Sequence, residues 1–322
     1  MSSTRLSTPS WRTSAPASWL EQALPEGAPA PGVASGAGTR PTWRLLYEVG
    51  NRRLDDANVV RWFVEDASGG AWPAVLDEPV GARAEQAFLS MVERRARGEP
   101  VQYVLGHWAF RKLDLMVDRR VLIPRPETEV VVDVALAELS RLEPVSPLVV
   151  DLGTGSGAIA LSIATEGAGV QAWATDVSED ALDVASANLA GLGVQAVGRV
   201  QLGKGSWWNA LPSDLRGAVD LAVVNPPYVS DAEFAELPAE VSAWEPPGAL
   251  IGGPSGLEAL EEVVTEAPAW LAERSALVLE IAPHQADAVR ALALGAGFSQ
   301  VFVRPDLTGR DRALVARRSP SI

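Results

Sequence analysis

Cysteine is absent from this chain, which excludes disulfides, thiolate metal sites and thiol nucleophiles. Histidine is nearly absent: only His107 and His284 occur, far apart, so no metal centre is expected. No apolar run approaches the roughly 20 residues that cross a bilayer. No membrane partner is therefore expected; the expected location is cytoplasmic. Lysine occurs only at Lys112 and Lys204, arginine supplying the remaining positive charge. Against 41 acidic residues there are 27 Lys and Arg, a formal net charge of -14. That balance disfavours a surface built to grip phosphate backbones, and no direct nucleic-acid partner is expected.

What is present is a chain of 322 residues, 47% of them hydrophobic, long enough for two cores. Residues 1 to 40 are rich in Ser, Pro, Ala, Gly and Thr without periodicity and read as a disordered extension. Arg5 and Arg12 precede the first acid, Glu21, which faintly resembles an organelle transit peptide, but the apolar segment of a secretory signal is missing. Residues 41 to 100 read as a small helical domain. Asp55-Asp56 suit a helix start, and Ala84, Ala87, Phe88, Met91 and Val92 line one face of a helix over 84–95. Residues 101 to 123 read as a linking β-hairpin, with alternating apolar residues on both sides of Arg111-Lys112.

From residue 124 to 322 strands and helices alternate, which argues for a doubly wound α/β sheet with helices on both faces. The first strand, Leu148 to Leu152, runs into Gly153-Thr-Gly-Ser-Gly157 and an apolar helix from Ala158. A second strand ends at Asp176, with Ser178 placed to cap the next helix. A third is expected near Val194 to Leu202, a fourth from Val219, and a fifth over Ala276 to Ile281. Glycines between a strand and a helix let a ligand approach the backbone, and an acid at the next strand end suits a ribose. Those features fit a nicotinamide dehydrogenase as well as a methyltransferase.

The fourth strand separates the two readings. From Leu221 to Val224 it is apolar on both faces, as a central buried strand should be, and it ends in Asn225-Pro-Pro-Tyr228. The prolines restrict the backbone and offer no N–H, leaving the Asn225 side-chain oxygen and the Pro226 carbonyl as two preorganised acceptors. Hydride transfer needs no such pair. A methyl acceptor carrying an NH2 on a planar group does: two acceptors aim the nitrogen, and Tyr228 packs on the plane.

With Pro100-Val-Gln-Tyr-Val-Leu-Gly106, Leu122-Ile-Pro-Arg-Pro-Glu-Thr-Glu129, Asp151 to Gly157, Asn225 to Tyr228, Gly252-Gly-Pro-Ser-Gly-Leu257 and Asp306-Leu-Thr-Gly-Arg-Asp-Arg312, the chain resembles the peptide chain release factor glutamine methyltransferases from about Thr42 to Arg317. The resemblance implies a seven-stranded class I methyltransferase sheet and a smaller N-terminal helical domain that helps engage the release factor; a monomer is expected. It implies transfer from S-adenosylmethionine, leaving S-adenosylhomocysteine, to the glutamine amide of a Gly-Gly-Gln loop. Gly153, Thr154, Gly155, Ser156, Gly157, Asp176, Trp207 and Asn225 would hold the cofactor. Asn225, Pro226, Pro227 and Tyr228 would hold the glutamine, with Asn225, Pro226 and Tyr228 catalytic. Arg125 and Glu127 become neighbours of the site. Ser206 departs from the family, whose members often carry an acid there. Open alternatives are a ribosomal-protein glutamine methyltransferase, an adenine-amine methyltransferase and a non-catalytic release-factor-binding module.

Overall fold

The structure, a computed structural model, describes residues 40–193, 196 and 198–319. The expected disordered extension lies, apart from Arg40, outside the described residues. The chain divides into a helical unit ending at Leu105 and a larger unit beginning at Gly106.

The helical unit holds α1 (Trp43–Leu54), α2 (Ala57–Ser68), α3 (Ala82–Ala96) and the short α4 (Val101–Leu105). Thr42 caps α1, and Asp56 caps α2 by accepting from the Asn58 and Val59 amides. Leu46, Val49, Val60, Phe63, Phe88 and Val92 are fully buried among these helices. Arg94 on α3 donates to Glu99 and to the Tyr103 and Val104 carbonyls, which pins α4. Residues 101–105, assigned from the sequence to the hairpin, are thus helical; the Arg94 fork satisfies the carbonyls that a short helix leaves open.

The larger unit begins with the hairpin β1 (His107–Phe110) and β2 (Leu113–Met116), antiparallel with Phe110 opposite Leu113. Its turn residue Arg111 donates to Glu166 and to the Glu129 carbonyl, fastening the turn onto two helices. Then follow α5 (Pro126–Leu142), β3 (Leu148–Leu152), α6 (Ala158–Glu166), β4 (Gln171–Asp176), α7 (Glu179–Gly191), β5 (Val200–Lys204) and β6 (Val219–Val224). A small parallel pair, β7 (Val229–Ser230) with β8 (Ile251–Gly253), precedes α8 (Glu258–Trp270), β9 (Leu271–Glu280), α9 (Ala286–Gly295), β10 (Gln300–Pro305) and β11 (Asp311–Arg318). The third strand of the sheet starts at Val200, later than the expected Val194; residues 194, 195 and 197 lie outside the described residues.

The main sheet has seven strands in the order β10-β11-β9-β6-β3-β4-β5, with β11 antiparallel to both neighbours. Helices cover both faces. Leu221 and Val223 of β6 pack with Val131, Val132, Ile159 and Ile163, while Ala222 and Val224 pack with Leu260, Val263 and Val289. A fully buried Val or Leu contributes roughly 1.5–3 kcal/mol. Buried on both sides, β6 is a rigid platform, and the carboxyl ends of β3, β4, β6 and β9 deliver their following residues to one edge of the sheet.

Candidate active site

Val224 pairs with Leu279, so Asn225 and Glu280 leave the sheet side by side. On the other flank Asp151 pairs with Val223, which places the glycine loop after β3 next to Asn225. Order along the sheet reverses between β4 and β6 around β3, the position at which open α/β sheets bind ligands.

The glycine loop is tightly held. The Gly153 and Thr154 amides donate to the Thr175 carbonyl, and the Gly155 amide donates to Asp176 Oδ2 at 2.9 Å. Gly155 has φ +56, and a Cβ there would meet nothing within 4 Å, so this backbone faces open space where a ligand can lie against it. Asn188 on α7 clamps the loop to the hairpin: its amide nitrogen donates to the Ser156 and Met116 carbonyls, and its oxygen accepts from the Met116 amide.

Asp176 accepts from the Ser178 and Gly155 amides; burial raises its carboxyl above the usual range, and those amides oppose the shift. Each oxygen retains a lone pair for a further donor. Trp207 sits at φ +43, and a Cβ on Gly153 would lie 3.4 Å from its ring, so this ring closes over the end of β3. Trp208 is different. It is fully buried, donates to the Val263 carbonyl at 2.9 Å and stacks on Trp270, which makes it a core residue. Ser206 is exposed and makes no cap hydrogen bond.

Asp151 lies beneath the loop, completely buried. Its Oδ2 accepts from the Thr154 hydroxyl at 2.6 Å and the Ala160 amide at 3.0 Å, while Oδ1 has no hydrogen-bond partner among the described residues. Loss of solvent pushes its carboxyl up to about 7, against the opposing effect of those two donors, and the Asp176 charge adds to the rise. The folded state therefore keeps a proton that the unfolded chain releases near pH 4. Stability from this group is full below that pH and is lost as pH rises through about 7. Asp151→Asn should flatten the pH dependence of denaturant-induced unfolding between pH 4 and 7 by on the order of 4 kcal/mol. An unchanged slope would assign that dependence to other groups.

The Asn-Pro-Pro-Tyr turn opens onto a cleft of about 230 Å³. Leu122, Val229, Leu237, Val241 and Leu250 supply apolar wall, and Arg125, Asn225, Tyr228 and Glu280 supply polar groups. Asn225 donates through Nδ2 to Thr128 Oγ1 at 3.3 Å. Thr128 donates in turn to Glu280 Oε2 at 2.7 Å, and the Tyr228 hydroxyl donates to Glu280 Oε1 at 3.3 Å. Burial first, then the neighbouring Glu280, raises the Tyr228 phenol, so it stays protonated and remains a donor. Glu280 is itself raised by burial, offset by Thr128, by the Arg312 charge and by Tyr228. Arg312 is buried and donates to the Ile281 carbonyl at 3.2 Å.

Arg125 does reach the cleft, where it pairs with the buried Glu245; the other oxygen of Glu245 accepts from the Ile123 amide. Glu127 is not among the residues lining the cleft and pairs with Arg310 at 3.5 Å. Glu280, Thr128 and Glu245 escaped the reading of the sequence. For Glu280 the signal was present, since an acid ending an apolar strand is what singled out Asp176. Among the described residues no group of three or more His, Asp or Glu side chains is arranged to hold a metal ion. Nor is any described helix long and apolar enough to cross a membrane.

This sheet order, with a glycine loop after β3 and a ligand cleft beside it, defines a class I methyltransferase. The fold is shared with the hMettl16 catalytic domain, solved in complex with an MAT2A 3'UTR hairpin: TM-score 0.51, 14% identity, covering 74% of this chain and 82% of that one. Family models match as a methyltransferase small domain over residues 133–240 and a PrmC N-terminal domain over 52–106. A release factor glutamine methyltransferase from Xylella fastidiosa is 43% identical over 241 residues, covering 75% of this chain and 84% of that protein. One from Moorella thermoacetica is 43% identical over 247 residues, covering 76% and 84%. The chain belongs to the release factor glutamine methyltransferase family.

Proposed function

We propose that this protein transfers a methyl group from S-adenosylmethionine to the side-chain amide nitrogen of the glutamine in the Gly-Gly-Gln loop of a peptide chain release factor. The observation that carries the reading is the Asn225 to Tyr228 turn, held on a double-buried strand between the glycine loop and Glu280 and open to an apolar cleft. Family membership supports the same substrate.

The residues present fit the donor. The open backbone at Gly155, the spare lone pairs of Asp176 and the ring of Trp207 offer complementary surface for a nucleoside bearing hydroxyls and an amino-acid tail. The bound donor supplies an electrophilic methyl on a sulfonium. Everything else falls to this chain. The Asn225 oxygen and the Pro226 carbonyl each accept one N–H of the substrate amide, which aims the nitrogen lone pair along the line of displacement. Tyr228 packs on the amide plane, and the apolar wall excludes water. A methylated amide nitrogen is strongly acidic, so its surplus proton would leave without a dedicated base. Residues 41–100 contribute to gripping the release factor, and residues 124–322 perform the transfer.

Labelled methyl from S-adenosylmethionine should appear on a release factor and disappear when its loop glutamine is changed to alanine. Transfer that survives the change, or that requires nucleic acid, overturns the proposal.

A further inference from the structure

Two buried side chains outside the Asn-Pro-Pro-Tyr turn decide which way its amide faces. Glu280 accepts at both oxygens, from the Thr128 hydroxyl at 2.7 Å and from the Tyr228 hydroxyl at 3.3 Å, so in the contact with Thr128 the threonine hydroxyl is the donor. With its proton spent on Glu280, Thr128 can offer Asn225 only an oxygen lone pair. Asn225 must therefore turn its NH2 group toward Thr128, at 3.3 Å, which leaves Oδ1 with no protein hydrogen bond among the described residues. The second Glu280 oxygen holds the Tyr228 hydroxyl, so a single carboxylate sets both side chains of the turn. Glu280 is in turn held by its place at the end of β9 and by the charge of buried Arg312.

We propose that Glu280, relayed through the Thr128 hydroxyl to Asn225 and acting directly on Tyr228, is the positioning residue that turns the Asn225 oxygen toward the substrate, and so selects a substrate amide over a carboxylate. An amide flipped by 180° would point a donor at the substrate and welcome a carboxylate oxygen instead. The inference rests on the reading that the cleft takes a glutamine side chain; the orientation of Asn225 can be tested without it.

Thr128→Val keeps the shape of the side chain and removes the relay, while Thr128→Ser keeps the hydroxyl. In 15N-labelled protein the Asn225 side-chain amide protons should be protected from exchange in the wild type, lose that protection in Thr128→Val and regain it in Thr128→Ser. With a release factor as substrate, Thr128→Val and Glu280→Gln should lower kcat at least tenfold, Thr128→Ser should recover most of it, and donor affinity by calorimetry should not change in any of the three. Equal amide protection in wild type and Thr128→Val overturns the orienting relay. So does full kcat in a Thr128→Val enzyme acting on an active release factor. A wild type that shows the protection pattern yet transfers nothing to any release factor sinks the substrate reading and leaves the relay standing.

Discussion

Asn225→Ala should leave a folded protein that binds S-adenosylmethionine with near wild-type affinity and turns over about 100- to 1,000-fold more slowly, the usual loss when one preorganised polar partner of the reacting group is removed. The reason is its place in the structure. Asn225 follows the last residue of a strand buried on both faces, its nitrogen is bound by Thr128, and the neighbouring Pro226 is buried. Shortening the side chain removes one of the two proposed acceptors while the strand, the glycine loop and the apolar wall stay as they are. Calorimetry for the donor and single-turnover kinetics for transfer separate the two contributions. Comparable losses in both would reassign Asn225 to holding the donor.

A comparable loss of turnover is expected from a residue that touches no ligand. A Cβ on Gly252 would lie 2.4 Å from the Pro227 carbonyl oxygen and 3.1 Å from that of Gly256. Both are backbone atoms, so neither can swing aside. Gly252→Ala should push the Asn-Pro-Pro-Tyr turn outward, and a displacement near 1 Å can cost on the order of 100-fold in rate. Overpacking of this kind also destabilises by roughly 1–3 kcal/mol. Gly248→Ala, whose added Cβ would meet nothing within 4 Å, is the control and should be silent in both rate and melting temperature. Equal behaviour of the two variants would mean that the turn tolerates the shift. The same packing explains Gln285, whose amide nitrogen donates to the Tyr228 and Gly256 carbonyls and so ties the two segments together.

Much of the fold could be read directly. The unbroken apolar run of β6 announced burial on both faces, and the two core clusters on either side of it bear that out. Ser178 was legible as a helix cap and Asp55-Asp56 as a helix start, because these are local matters of a short polar side chain near the first amides of a helix; the structure makes Asp56 the cap. The boundary before the hairpin was not legible: residues 101–105 carry an apolar pattern too short to distinguish helix from strand, and a fork from Arg94 decides it. Trp207 and Trp208, adjacent and chemically identical, are separated in the sequence by the family resemblance alone; the fold gives the physical difference, one ring against Gly153 and the other stacked on Trp270.

By itself the sequence determined the doubly wound sheet, the glycine loop and its acid at Asp176, and the rigid Asn225-Pro226 turn, because periodicity, strand-end acids and proline geometry are properties of neighbours along the chain. Tertiary structure alone decided that Glu280 and Thr128, 152 residues apart, share a hydrogen bond behind Asn225, and that Arg125 pairs with Glu245 across 120 residues. A buried hydrogen bond depends on which strands lie side by side and in what register, and no stretch of sequence around Thr128 or Glu280 encodes that separately from the sheet that brings them together.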